Sequence, residues 1–399
     1  MSAPIVRALL LAAVSLTAGP RNCFADAPQS AKSADAQKYV PIVAPTAICA
    51  AQSDRLGVLI LGHRGVADHQ LSVVALGSDG LPSPVDPVKV VLPRADALKA
   101  MEVYPLSLVL HPKLPLLYVW QDIAAPPPAA EQFDHLVIYR IEGQQLKQVS
   151  AFARGTDYTN ARIAGALGLD PGGMRLFVPN LKTKAGTAAI GYFDLDDAGL
   201  PKPVPVPIQG SLDGQGLEKF QMELRVTLGS GGLDHALPIG SFGLAAHDRD
   251  VALFASYSGV GLWDTQNRRG EFAVIYVPGL AISCSIASDP KLPAVYGAAA
   301  EAGHNVLFQL QLADGYPTLM PQILRVDEAS GFRSPPLVLP GKVNRLAIGG
   351  ANCVYLVPLD DQGRFAGRLE TLKVNNGSVR TMAYSQRHDR LYVPVEKMP

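Results

Sequence analysis

The sequence has few charged residues, few aromatic residues and few cysteines for its length. Charged residues make up 18% and aromatic residues 7% of the 399 residues, and there are four cysteines. Apolar residues reach 48%, enough to bury a large core, so the composition excludes an intrinsically disordered protein. Lys plus Arg and Asp plus Glu each number 35, so no basic surplus points to nucleic acid.

Long apolar runs are also missing, apart from one at the N-terminus. No unbroken apolar run reaches about 18 residues, the length that spans a bilayer, so no membrane span is expected. Arg7 precedes an apolar run at residues 8–18, and Ala25-Asp26-Ala27 offers an A-x-A cleavage site. We therefore predict a signal peptide at residues 1–27 and a flexible lead at residues 28–38. The mature protein is expected in the periplasm or outside the cell, as a monomer.

Cleavage of that signal leaves Cys49, Cys284 and Cys353. An odd number of cysteines in an oxidising compartment gives no disulfide framework, and all three lie in apolar, strand-like sequence. We expect them to be buried free thiols.

Several catalytic motifs are absent from the sequence. It contains no G-x-S-x-G, no H-E-x-x-H, no Walker loop and no C-x-x-C-H haem site. No cofactor is predicted on these grounds, and whether the protein is an enzyme is left open.

What the sequence does contain is a repeated unit of two apolar runs joined by a polar turn. Residues 108–120 read LVLHPKLPLLYVW, and residues 285–297 read SIASDPKLPAVYG. Related units occur at residues 48–61, 167–180, 244–257, 346–356 and 381–395. Seven copies of one unit indicate a repeat architecture.

A second hairpin follows most copies of the unit. Its turns carry Asp and Gly, as in LSVVALGSDGLP from Leu71 and IGYFDLDDAGLP from Ile190, which suits turns that need positive φ. Two hairpins per repeat predict an all-β fold: a seven-bladed β-propeller of four-stranded antiparallel blades over residues 39–399, its ring closed by an N-terminal strand at residues 39–43. Repeats are expected to start near residues 46, 104, 161, 240, 281, 343 and 378.

The repeat resembles that of lactonase-like and YVTN-type seven-bladed propellers. In those families a P-x-G-x-x-L/F-Y-V unit precedes a V-x-V-Y-x-I/L-x-x-x-G-x-L hairpin, as residues 111–120 precede residues 134–149 here. Residues 169–173 with Leu176-Phe177-Val178 match the first half. The resemblance covers most of residues 44–396, but its motif residues belong to turns and core. It therefore implies the fold, and no lactonase catalytic residue can be matched to this chain.

Two insertions interrupt the repeats, near residues 121–134 and 209–239. Both are predicted on the face of the propeller that surrounds the channel mouth. Long loops in a compact fold are often lids or binding loops, although a surface insertion without a role is an equal alternative. The second insertion contains Asp234-His235, and His235 is a candidate ligand-binding residue.

Three arginines are candidate ligand-binding residues. Alignment of the repeats places Arg380, and with a two-residue deletion Arg345, at one position of the innermost strands, and Arg162 lies three residues before it in another blade. Guanidinium groups bind carboxylate or phosphate in a bidentate manner, so an anion pocket is one interpretation. Ion pairs with acidic residues of neighbouring blades are the alternative.

Histidines of the first two blades form the last candidate set. His63 and His69 flank one loop, and His135 begins a third strand in the neighbouring blade. They are candidate ligands for a divalent metal, and His69 and His135 are candidate general bases. The alternative is that these histidines are structural or exposed to solvent.

Two functions follow from these residues. The first is an exported binding or interaction scaffold with a small anionic ligand or a protein or glycan partner. The second is a lactonase-like hydrolase acting on a small anionic lactone or ester at the channel mouth, with arginines holding a carboxylate and a histidine activating water.

Overall fold

The fold is known from a computed structural model of the chain. It describes residues 38–93, 101–123, 134–153, 167–170, 172–183, 186–203, 206–207, 242–246, 250–256, 259–264, 272–276, 281–288, 292–301, 304–313, 316–317, 322–326, 331–341 and 343–395. The predicted signal peptide, the insertion at residues 209–239, Arg162 and His235 lie outside these residues.

The described residues form 28 strands of two to ten residues each. In the first three blades the strands are β2 (Ala47–Ser53), β3 (Val58–His63), β4 (Leu71–Ala75), β5 (Val88–Val90), β6 (Val103–Leu110), β7 (Leu116–Ile123), β8 (Asp134–Glu142), β9 (Gln145–Ala153), β10 (Gly168–Leu169), β11 (Arg175–Thr183), β12 (Gly186–Asp194) and β13 (Val206–Pro207).

The next three blades contain β14 (Phe242–Ala246), β15 (Asp250–Ser256), β16 (Gly259–Asp264), β17 (Phe272–Tyr276), β18 (Ala281–Ser288), β19 (Ala294–Glu301), β20 (His304–Ala313), β21 (Tyr316–Pro317), β22 (Gln322–Val326), β23 (Leu337–Leu339), β24 (Asn344–Gly349), β25 (Ala351–Leu359) and β26 (Glu370–Ser378). The ends of the chain supply β1 (Lys38–Val43), β27 (Ala383–Ser385) and β28 (Arg390–Val395).

The prediction of seven four-stranded blades closed by an N-terminal strand is wrong. Among the described residues, six sheets have four or five strands, and these are the blades. The last repeat unit contributes only β27 and β28. Strand β1 does not complete an antiparallel blade, because it lies directly beside β28 and runs parallel to it, with Val40 opposite Tyr392. We call these three strands the terminal sheet.

The sixth blade also begins earlier than predicted. Its first strand is β23, and β24 pairs with it through Leu339 and Arg345. The pair of strands read from residues 346–356 is therefore the second and third strand of that blade. The reason is the short first strand, whose three residues carry too little pattern to be recognised.

Apolar side chains fill the spaces between successive sheets. Ile60 of the first blade and Val119 of the second belong to one buried cluster, and Leu61 packs with Tyr392 of the terminal sheet in another. Alternation along each strand sends half of the side chains to each neighbour, so every blade depends on both of its flanking sheets.

Tyrosine hydroxyl groups add a repeated bond between sheets. Tyr118, Tyr296 and Tyr392 occupy the same position of the second strand of their sheets, and all are fully buried. Each donates a hydrogen bond to a glycine carbonyl in the turn after the third strand of the next blade, with the pairs Tyr118–Gly199 at 2.6 Å, Tyr296–Gly363 at 2.7 Å and Tyr392–Gly80 at 2.6 Å. The Tyr of the repeat motif is therefore an interblade contact.

The glycines that accept these bonds have φ of 75°, which confirms the expectation that their turns need positive φ. In the same turns, Asp196 and Asp360 each accept two main-chain hydrogen bonds through one carboxylate oxygen. The acidic residues of these hairpins therefore stabilise turns.

Candidate functional site

The candidate site lies at one end of the strands, which we call the upper face. Because neighbouring strands of a blade are antiparallel, the start of the first strand, the end of the second strand and the start of the third strand all lie at this end. In the first two blades and the terminal sheet, its described residues are 44–47, 63–71, 101–103, 134–135 and 378–382.

A pocket of about 70 Å³ opens where the first blade, the sixth blade and the terminal sheet meet. Arg380 lines it, and its side chain is exposed. The other lining residues are small or cyclic, with one hydroxyl group: Ala44, Pro45, Ala47, Ser378, Pro394 and Val395. In the part of the chain that the structure describes, Arg380 forms no ion pair with a carboxylate. No described carboxylate therefore competes with a ligand for the guanidinium group.

Arg345 does not share this position. It begins β24, the second strand of its blade, next to the turn that follows β23, and it is only 8% exposed. That turn lies at the end of the blade opposite the upper face. The expected pair of arginines at one ring position is therefore not formed, and Arg345 lies in a structural setting.

His63 lies next to the pocket, at the end of β3, and is 4% exposed. Its Nδ1 atom is 3.0 Å from Thr46 Oγ1, and its Nε2 atom is 2.9 Å from Ser72 Oγ. Burial, together with nearby His69, lowers the pKa of His63 to about 4, so the ring is neutral at pH 7. Both ring nitrogens are occupied, which fits a structural role and leaves no free lone pair for a metal.

His69 is arranged differently from His63. Its Nδ1 atom is 2.8 Å from Asp68 Oδ1, and the two imidazole rings meet edge to face at 5.1 Å. Lys89 Nζ donates to the other oxygen of Asp68 at 3.1 Å. The hydrogen bonds from His69 and Lys89 lower the pKa of Asp68 to about 2, so the carboxylate is charged and orients the ring.

His135 stands apart from this pair. Its Nδ1–H group donates to the carbonyl oxygen of Gln121 at 3.0 Å, and its ring lies 5.8 Å from that of Trp120. The structure therefore brings His63 and His69 together but not the three histidines. Within the described ranges, no group of three or more His, Cys, Asp or Glu side chains is arranged to hold a metal ion.

A second polar contact links the first two blades on the upper face. The Arg64 guanidinium lies 4.4 Å over the Tyr104 ring, and its Nε atom is 3.8 Å from Glu102. The Gly65 N–H group also donates to Glu102 at 3.0 Å. Sequence reasoning missed this contact, and also Thr46, Ser72 and Ser378, because hydroxyl and aromatic residues at strand ends carry no distinguishing pattern.

Two cysteines have side chains that the structure describes, and both are free thiols, as expected. Cys353 is buried, and Cys49 is partly buried. Desolvation raises the pKa of Cys49 to about 12, so this thiol stays protonated and unreactive.

Comparison with known proteins identifies the fold. No family model matches the chain, and no curated protein matches it in sequence. Among solved structures, the extracellular domain of the putative hybrid two component system BT4673 from B. thetaiotaomicron aligns with a TM-score of 0.52 and 12% identity, over 90% of this chain and 38% of that chain. The Dos1 propeller aligns with a TM-score of 0.50 and 10% identity, over 88% of this chain and 90% of that chain.

A second structure of the BT4673 extracellular domain, described as a putative one component system, has a TM-score of 0.50 with 12% identity over 88% of this chain. The chain spans less than two fifths of either BT4673 domain. At these identities the likeness shows the fold alone, and the protein is a β-propeller. Within the described residues, no helix has the length and hydropathy needed to cross a membrane.

Proposed function

We propose that this protein is an exported binding protein that holds an anionic group of its ligand at the Arg380 pocket on the upper face. The observation that carries the proposal is the exposed guanidinium at a pocket, with no carboxylate partner among the described residues. The fold places the main chain of Arg380 beside the pocket, and ordering its exposed side chain on a ligand costs about 0.5–1.5 kcal/mol.

Export is supported by the N-terminal sequence. The N-terminal sequence has the basic residue, apolar run and small-residue cleavage site of a secretory signal. Expression in a bacterium followed by mass spectrometry of the exported protein tests this part. We expect a mature N-terminus near residue 28, whereas an intact N-terminus in the cytoplasm would refute export.

The binding function is tested by anion-dependent thermal stability. Ligands that bind only the folded state raise the melting temperature. We expect acetate or phosphate at matched ionic strength to stabilise the wild type more than Arg380→Ala. The matched control is Arg387→Ala, which removes the same charge from an exposed residue in the turn between β27 and β28, at the opposite end of the terminal sheet. Equal stabilisation of all three proteins would refute the site.

A hydrolase acting on a small anionic lactone or ester is the second candidate function. It is supported by the Asp68–His69 pair, in which a charged carboxylate orients an imidazole ring, and by the resemblance of the repeat to lactonase-like propellers. His63 cannot act as this base, because it is buried and bonded at both nitrogens.

Activity against a panel of lactones distinguishes the two functions. The hydrolase requires turnover that falls at least about a hundredfold in His69→Ala, the usual contribution of a general base, while His135→Ala stays active. If the wild type turns over none of these lactones, the hydrolase is refuted and the binding function is the one that remains.

A further inference from the structure

We infer that the Arg380 pocket takes the planar carboxylate end of its ligand rather than a phosphate group. This inference rests on the proposed anion-binding function and narrows it to one chemical class. Three properties of the pocket lead to it: its single charge, its few hydrogen-bond donors and its size.

The charge of the pocket matches a monoanion. Among the described residues that line the pocket, Arg380 is the one that carries a charge. Lys89 of the first blade is paired with Asp68 at 3.1 Å. A phosphate monoester carries close to two negative charges at neutral pH, so its second charge would be left without a partner in a partly desolvated site. A carboxylate has no such surplus.

Hydrogen-bond donors are scarce in the pocket. Pro45 and Pro394 have no N–H group, the N–H of Ala44 donates to Val395 O at 2.9 Å, and that of Ala47 donates to Ala44 O at 3.1 Å. Phosphate sites usually present several free main-chain N–H groups, which these four residues do not provide. The side-chain donors that remain are the Arg380 guanidinium and the Ser378 hydroxyl. The planar fork of a guanidinium matches the two oxygens of a carboxylate.

The size of the pocket limits what enters it. A cavity of about 70 Å³ is roughly five times the 10–15 Å³ that a cavity needs to hold one water molecule. It holds an end group, and the rest of the ligand must lie outside, over the upper face. The ligand is therefore a molecule that ends in a carboxylate: a small organic acid or the C-terminus of a peptide.

Calorimetric titration of the full mature protein tests this inference. The probes are propionate, methyl phosphate, the tripeptide acetyl-Gly-Gly-Ala with a free carboxylate, and the same peptide with a C-terminal amide. We expect propionate or the free peptide to bind at least tenfold more tightly than methyl phosphate, and the amide not to bind. Binding should disappear in Arg380→Ala, weaken in Ser378→Ala and persist in Arg387→Ala, with all variants melting within about 1 °C of the wild type.

The remaining outcomes separate the two proposals. A free peptide that binds tighter than propionate would assign the site to a chain terminus, and equal affinity would assign it to a small acid; both support a carboxylate site. If methyl phosphate binds equally well or better, and Arg380→Ala abolishes that binding, the anion site stands and the carboxylate inference is refuted. If no probe distinguishes the wild type from Arg380→Ala, both proposals are refuted.

Discussion

Removal of the Tyr392 hydroxyl is expected to weaken the contact between the terminal sheet and the first blade. The hydroxyl is buried, and it donates to the Gly80 carbonyl oxygen at 2.6 Å across the sheets. In Tyr392→Phe the ring still fills its space, but the bond is lost and a carbonyl group is left without this donor. A lost hydrogen bond and an unsatisfied buried acceptor together cost about 1–2 kcal/mol.

The same change at Tyr118 should have a similar effect, because its bond to Gly199 has the same length and burial. Tyr104→Phe is the matched control, since its hydroxyl is only partly buried and lies 3.3 Å from Asp122, and it should cost less than about 0.5 kcal/mol. Urea denaturation of the three variants measures these values, and calorimetry should show melting temperatures lowered by about 1–3 °C at the two buried sites. If Tyr392→Phe and Tyr118→Phe are no less stable than Tyr104→Phe, the tyrosine bonds do not hold the sheets together.

Three further predictions concern glycine, histidine and arginine residues. In urea denaturation, Gly363→Ala should lower the free energy of unfolding by about 2 kcal/mol more than Gly65→Ala does. Both glycines have φ of 75°, but only at Gly363 would the new Cβ atom meet a neighbour, 2.5 Å from the Tyr296 hydroxyl. Equal losses of stability in the two variants would refute this steric effect. The pKa of His63 is lowered in the folded state, so the unfolded chain binds more protons and stability is lost as pH falls from about 6.5 towards 4. Between pH 7.5 and pH 5, the free energy of unfolding of the wild type should fall by about 2 kcal/mol more than that of His63→Gln. Parallel plots of stability against pH for the two proteins would contradict this. Arg345→Ala should destabilise the protein by about 1–3 kcal/mol because the residue is buried, whereas Arg380→Ala should change stability by less than about 0.5 kcal/mol. If thermal unfolding shows a larger loss for Arg380→Ala than for Arg345→Ala, Arg380 is the structural arginine and Arg345 is not.

The fold was predictable to the level of a β-propeller because its determinants are local. The Leu-Tyr-Val strands, the Asp-Gly turns and the alternation of apolar residues each repeat along the chain, and the residues that carry them bury the interblade clusters. Blade number was not predictable, because the pairing of β1 with β28 joins segments from opposite ends of the chain. A six-residue strand shows the same pattern of apolar residues whether the strand beside it is parallel or antiparallel.

The candidate site was predictable only in part. Arg380 was found from its position in the repeat, but the same alignment placed Arg345 beside it, because a first strand of three residues, β23, gave no pattern to align. His63 and His69 were both candidate metal ligands, yet burial makes His63 a bonded core residue, whereas His69 is oriented by Asp68. The two ring nitrogens of His63 are bonded to the hydroxyl groups of Thr46 and Ser72. These hydroxyl groups reach His63 only when the sheet has formed, so the sequence does not show the contacts.

The most direct test of the binding function is a crystal structure of the mature protein grown with 4-bromobenzoate, whose bromine is located by anomalous scattering. We predict the carboxylate within hydrogen-bond distance of the Arg380 guanidinium, the bromine outside the pocket over the upper face, and no such density in Arg380→Ala crystals. A carboxylate bound elsewhere, or bound unchanged in the Arg380→Ala crystals, would contradict it.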